Sequence, residues 1–264
     1  MTDSPGTNPS AGRGRGRGRG RKKSQNDSQP RDPYGRPPLR LQSTTLWEYP
    51  SRDYGPQPHG TPGYEGATPA WVIWDLLTRY TRPGDLVVDP MAGGGTTVDV
   101  AGELERRPVA FDINPVRDDI RKADARHLPL ESSLADFVFV DPPYSTHIKY
   151  SDEPACIGRL DASGKEYYKA MEQVIAEINR VMKNKRYMAL YVSDSFRKGQ
   201  PFMPIGFELF SILRRYFQPV DIVAVVRGNR KLNKPHWRKE AVKGNFLLRG
   251  FNYLFIMKKD STES

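Results

Sequence analysis

Three observations predict an α/β fold with a mostly parallel sheet covered by helices on both faces. Short, fully apolar runs recur along the chain, each of a length suited to a buried strand. They alternate with amphipathic segments of helical spacing, the order expected of strand-helix-strand units. Glycine and proline mark the junctions. In such a sheet ligands bind beyond the carboxyl ends of the strands. The residues that follow each apolar run are therefore where chemistry is sought.

Residues 1–40 are rich in Gly, Pro, Ser, Arg and Asn, and Arg alternates strictly with Gly over 13–21. A segment so poor in large apolar side chains cannot offset its ordering entropy, and a disordered tail is expected. Residues 41–69 carry Trp47, Tyr49, Tyr54 and Tyr64 among prolines and glycines, which reads as an irregular arm whose rings cover the core. Regular structure begins with a helix over 69–80, where Val72, Ile73, Leu76, Leu77 and Tyr80 share a face and Pro83-Gly84 ends the run. Strands are expected over 85–89, 108–112, 135–140, 187–192, 221–226 and 253–257, and helices over 97–105, 165–183 and 207–216. Residues 41–264 then make a single domain, of a size that supports one core.

The charge is unevenly placed. Residues 1–40 hold ten Lys and Arg against three Asp, a net +7 of the chain's +10. Residues 227–249 hold eight against one Glu, again +7, which leaves the rest slightly acidic. Two concentrated basic segments suit contact with phosphate. Cys156 is the one cysteine, so neither an intrachain disulfide nor a Cys-based metal cluster is expected, and no metal site is read. The absence of a long apolar run or an apolar leader argues for a soluble, cytoplasmic protein, held near the nucleoid if its polymer is DNA.

Asp89-Pro-Met-Ala-Gly-Gly-Gly-Thr-Thr97 joins a strand to a helix. Three consecutive glycines allow close approach of a ligand and permit positive φ. Neither a Gly-Lys-Ser/Thr phosphate loop nor the G-x-G-x-x-G spacing is present. The next strand ends in Asp112, placed to accept hydrogen bonds from ribose hydroxyls, and Lys122-Ala-Asp-Ala-Arg126 offers Asp124 after a third strand.

This order of segments resembles the class I S-adenosylmethionine-dependent methyltransferases, and more narrowly the amino-methyltransferases of DNA. The resemblance is carried by Thr68-Pro69, the helix after it, and Pro83-Gly84-Asp-Leu-Val-Val-Asp89-Pro-Met-Ala-Gly-Gly-Gly-Thr-Thr97. It implies a Rossmann-like sheet of seven strands with an antiparallel last strand, and S-adenosylmethionine as cofactor. It further implies that Asp89, Pro90, Met91, Ala92, Gly93, Gly95, Thr96 and Thr97 wrap the methionine portion. Asp112 would hold the ribose, Asp124 with Ala125 the adenine, and Thr68 and Pro69 would close the pocket. Met91 stands where these enzymes usually carry Phe, and Gly94 where Ser is frequent.

Asp141-Pro142-Pro143-Tyr144 follows the strand over 135–140. Two prolines fix the backbone there, so Asp141 and the Pro142 carbonyl point into one cleft. An exocyclic amine conjugated to a base ring is a poor nucleophile. Accepting hydrogen bonds from both its N–H groups frees the nitrogen lone pair, and Tyr144 offers a face on which the base can stack. A base in a duplex would have to be flipped out. Among the methyltransferases it resembles, this tetrapeptide implies adenine N6 ahead of cytosine N4 in DNA. RNA remains an alternative substrate, as does a binding protein without activity. Lys149, Arg230, Lys231, Lys234, His236, Trp237, Arg238 and Lys239 are the candidate nucleic-acid contacts, most of them on a basic loop over 227–249. With so little reading surface, a homodimer or a restriction-endonuclease partner is a further expectation.

Overall fold

The computed structural model describes residues 39–144, 150–196, 201–228 and 234–260. The tail over 1–38, Lys149, Arg230 and Lys231 lie outside these residues. The chain runs β1 (Leu46–Trp47), α1 (Ala70–Tyr80), β2 (Leu86–Asp89), α2 (Thr96–Glu103), β3 (Arg107–Asp112), β4 (Ile120–Lys122), β5 (Ala135–Val140), α3 (Lys165–Val181), β6 (Met182–Val192), α4 (Ile205–Leu213), β7 (Gln218–Val226), α5 (Pro235–Lys243) and β8 (Phe251–Lys258). Among the described residues, no helix is long and apolar enough to cross a membrane.

The strands form one sheet in the order β1-β7-β8-β6-β5-β2-β3-β4. β8 pairs antiparallel with both β6 and β7, and the other pairings are parallel. The sheet therefore has eight strands where seven were expected. The additional one is β1, inside the arm expected to be irregular. The Trp47 ring is buried, its indole N–H donates to the Thr44 carbonyl at 2.8 Å, and the Ala224 N–H donates to the Thr45 carbonyl at 2.8 Å. A strand of two residues has no periodicity to read. Burial of one indole lays it on the β7 edge.

Side chains alternate across the pleat and divide the core in two. Val138 and Val140 of β5 meet α3 and α4 through Met171, Val174, Ile178 and Leu209. Phe137 and Phe139 point the other way, towards α1, where Val72, Ile73, Leu76 and Leu77 are buried with Trp47 and Tyr54 from the arm. Each such buried side chain contributes about 2 kcal/mol through removal of apolar surface from water. Tyr49 stacks on Trp71 with ring centroids 5.7 Å apart, so the arm's rings do cover this core.

A second departure concerns residues 227–249, read above as a loop. Pro235–Lys243 is a helix. Pro235 at the first helical position supplies the required φ, and Arg, Lys, Glu and Ala are good helix formers up to Gly244. The charge and the interleaved aromatic suggest a loop that contacts nucleic acid. α5 is exposed along most of its length and rests on Ala241.

Candidate active site

The carboxyl ends of the parallel strands meet along one edge of the sheet, where a cavity of about 510 Å³ opens. Asp89 ends β2, Asp112 ends β3, Asp141 follows β5, Asp194 follows β6 and Arg227 follows β7, and all five line it. Eleven of the thirteen residues read as cofactor contacts also line it: Thr68, Asp89, Pro90, Met91, Ala92, Gly93, Thr96, Thr97, Asp112, Asp124 and Ala125. Pro69 and Gly95 stand behind the wall. Pro69 caps α1, and Gly95, with φ of 84°, starts α2. Asp141, Pro142, Pro143 and Tyr144 all face the same space. Of the basic candidates that are described, Lys234, His236, Trp237, Arg238 and Lys239 do not line the cavity; the last four lie on exposed α5.

The glycine loop is shaped by contacts from both sides. The Gly93 N–H donates to Asp112 Oδ2 at 2.9 Å, and the Met91 N–H donates to Asp89 Oδ1 at 3.1 Å. The Tyr64 ring lies against Gly93 and Gly94, where an added Cβ would come within 2.9 and 3.0 Å of it. Only glycine admits a ring that close. The arm is sewn onto the same loop, for the Thr61 N–H donates to the Gly94 carbonyl at 2.7 Å and the Gly60 N–H to Asp99 Oδ2 at 2.6 Å. Asp99 also takes both ends of the Arg117 guanidinium, at 2.8 and 3.0 Å.

Asp141 is tied from the arm: Thr68 Oγ1 donates to its Oδ2 at 2.5 Å. Its Oδ1 carries no hydrogen bond among the described residues. Burial pushes the Asp141 carboxyl up to about 7. The Thr68 hydroxyl opposes that rise, Asp89 adds to it, and the Arg227 guanidinium opposes it. Asp89 is likewise raised to about 7, by burial, against hydrogen bonds from the Thr97 side chain and the Met91 N–H. Tyr144 is raised to about 12, by burial and by Asp141.

Asp124 is differently occupied. Arg126 Nη2 donates to its Oδ2 at 2.5 Å and Nε reaches both oxygens, at 2.9 and 3.1 Å, while the Arg126 N–H adds a contact to Oδ1 at 3.0 Å. The guanidinium continues to the Ala155 carbonyl at 3.1 Å, joining this wall to the segment bearing Cys156.

Residues 18–122 match the family model described as DNA methylase, of the N6/N4 type, a span that ends before Asp141. The strand order, with β8 antiparallel between β6 and β7 in an otherwise parallel sheet, is that of a Rossmann-like α/β fold. No curated protein matches the chain. Among solved structures it is similar to TrmN from Thermus thermophilus, at 18% identity and a TM-score of 0.49 over 74% of this chain and 50% of that one. It is also similar to a geranyl diphosphate methyltransferase in complex with GPP and sinefungin (15% identity, TM-score 0.46, 72% and 76% covered) and to the [4+2]-cyclase SpnF (14%, 0.47, 76% and 86%). The chain thus spans about half the length of TrmN.

The cavity suits S-adenosylmethionine, the cofactor that the sequence resemblance implies. The glycine end is walled by Asp89 and Asp112 with no basic side chain among the residues lining that part, which favours a cationic ligand over a phosphate.

Several lining residues were not singled out from the sequence. Tyr64 was read as a core cover. Arg227, Asp194 and Phe196 follow strand ends, so the rule that ligands sit beyond the carboxyl ends could have found them. Cys156 and Arg249 arrive from loops and carry no local signal.

Proposed function

We propose that this N6/N4-type chain transfers a methyl group from S-adenosylmethionine to the exocyclic amino group of a nucleic-acid base, with adenine N6 in DNA ahead of cytosine N4. The observation that carries this reading is Asp141, followed by two prolines, sharing one cavity with the glycine loop while its Oδ1 carries no hydrogen bond among the described residues. In this reading residues 41–264 are the methyltransferase domain, and the basic tail adds phosphate contacts.

Asp89 to Thr97, with Thr68 and Pro69 behind them, would hold the methionine portion, Asp112 the ribose, and Asp124 with Ala125 the adenine edge. Asp124 would share its oxygens with Arg126. S-adenosylmethionine, when bound, supplies an electrophilic methyl on a cationic sulfur. Asp141 Oδ1 and the Pro142 carbonyl accept the two N–H groups of the target amine, which turns its lone pair out of conjugation. Thr68 fixes the carboxylate so that this acceptor is preorganised rather than mobile. A carboxyl titrating near neutrality also receives the proton that the nitrogen loses. The Tyr144 ring offers the stacking face.

The test is transfer from methyl-labelled cofactor to plasmid DNA, native and heat-denatured, with transfer RNA and ribosomal RNA in parallel and Asp141→Ala as the control. N6-methyladenine in DNA is expected, lost in the variant while cofactor affinity stays nearly unchanged. Label in RNA alone overturns the choice of DNA, and normal transfer by the variant overturns the role of Asp141.

A further inference from the structure

Aromatic rings stand in solvent beside the mouth of the cavity. Phe196, just past β6, is 39% exposed and stacks on Phe246, with centroids 6.1 Å apart and planes 20° apart. Phe202 is 47% exposed, and the Arg249 guanidinium lies 5.2 Å from its ring centroid. Phe207 and Phe251 are 63% and 41% exposed, and both pack edge-on against Tyr253, whose hydroxyl donates to Asp194 Oδ2 at 3.2 Å. These rings belong to one surface. Backbone pairing of Ser195 with Met203 joins the first two groups, and Phe196, Arg249 and Asp194 all line the cavity itself.

Single exposed apolar side chains are ordinary, but a cluster at a cavity mouth marks a binding surface. Its surroundings state the sign of the partner. Arg227 and Arg249 stand in the cavity wall, and the segment over 227–249 carries a net +7. Arg249 donates from Nη2 to the Leu247 carbonyl at 2.9 Å, while its Nε is buried without a hydrogen-bond partner among the described residues. A buried donor with no acceptor is costly unless a ligand supplies one.

Resting on the nucleic-acid reading of the adjoining site, we infer that this rim binds unpaired nucleotides on either side of the target base. The substrate is single-stranded or looped nucleic acid rather than continuous duplex. Exposed rings stack on base faces, and those faces are available only where bases are unpaired. Arg249, backed by Phe202, presents a flat cation to a base or a phosphate. Charge alone would select the opposite substrate, because a duplex has the higher charge density. A preference for single strands must therefore come from the rings.

The experiment measures binding of the full chain to fluorescently labelled oligonucleotides of one sequence, as single-stranded DNA, single-stranded RNA and duplex DNA, with S-adenosylhomocysteine present. The wild type is expected to bind one of the single strands at least about tenfold more tightly than the duplex. Phe202→Ala and Phe207→Ala, both at exposed positions outside the cavity lining, should each weaken single-strand binding about tenfold and leave the duplex and S-adenosylhomocysteine affinities unchanged. Arg249→Lys should lose affinity although its charge is kept. Equal or tighter binding of duplex, or wild-type single-strand affinity in both phenylalanine variants, overturns the inference and hands the rim to a protein partner. If the wild type binds S-adenosylhomocysteine but no nucleic acid in any form, the reading of the site falls as well.

Discussion

Thr68 and Asp141 are 73 residues apart in sequence and joined by a hydrogen bond of 2.5 Å. One belongs to the arm before α1 and the other to the end of β5. The bond engages Oδ2 and holds the carboxylate, which lines the cavity, in one orientation. Thr68→Val removes the donor at nearly constant volume. It should lower the turnover of methyl transfer by about tenfold, with Thr68→Ser restoring most of it. The loss should fall on kcat more than on cofactor affinity, and steady-state kinetics against calorimetry separates the two.

The same pair sets a pH dependence. Asp141 accepts from the amine only when ionised, and burial places its carboxyl near 7. Transfer should therefore rise with pH through about 7 and fall away in acid. Because the Thr68 hydroxyl opposes the rise in that value, the limb should move to higher pH in Thr68→Val. Arg227→Ala should move it the same way, for the same reason of sign. A pH-rate profile unmoved by both changes would remove Asp141 from the titration.

Stability should respond in the opposite sense. Asp89 and Asp141 titrate near 7 when folded and near the ordinary carboxylate value when unfolded. Between these values the folded state binds more protons, so these two groups make the ligand-free protein lose stability as pH rises from about 4 to about 7. Thermal melts should show Asp89→Asn flattening that slope. A slope as steep in the variant as in the wild type would locate the effect elsewhere.

Gly93 and Gly94 both lie under the Tyr64 ring, but only Gly93 has positive φ, at 50°. Gly94→Ala should weaken cofactor binding by crowding alone, and Tyr64→Ala in the same chain should restore part of it. Gly93→Ala adds backbone strain that removing the ring cannot relieve, so the double variant at that position should stay impaired. Calorimetric titration with S-adenosylhomocysteine reads both pairs.

Most of the sheet and much of the cavity wall were legible in the sequence, because their signals are local. An apolar run of strand length, three glycines before a helix, and an aspartate at the end of β2 and of β3 are decided within a few residues. Asp141-Pro142-Pro143-Tyr144 is local too, since two prolines dictate the backbone around them. The tertiary structure decided what depends on distant segments meeting. β1 exists because Trp47 finds a core to enter, and α5 because a proline start and a glycine stop outweigh charge density. Tyr64 reaches the glycine loop, Arg126 closes on Asp124, and Arg227 faces Asp141 only once the strand ends converge on one edge of the sheet. Periodicity reports which face a residue takes, and burial and charge between distant segments depend on the fold that brings them together.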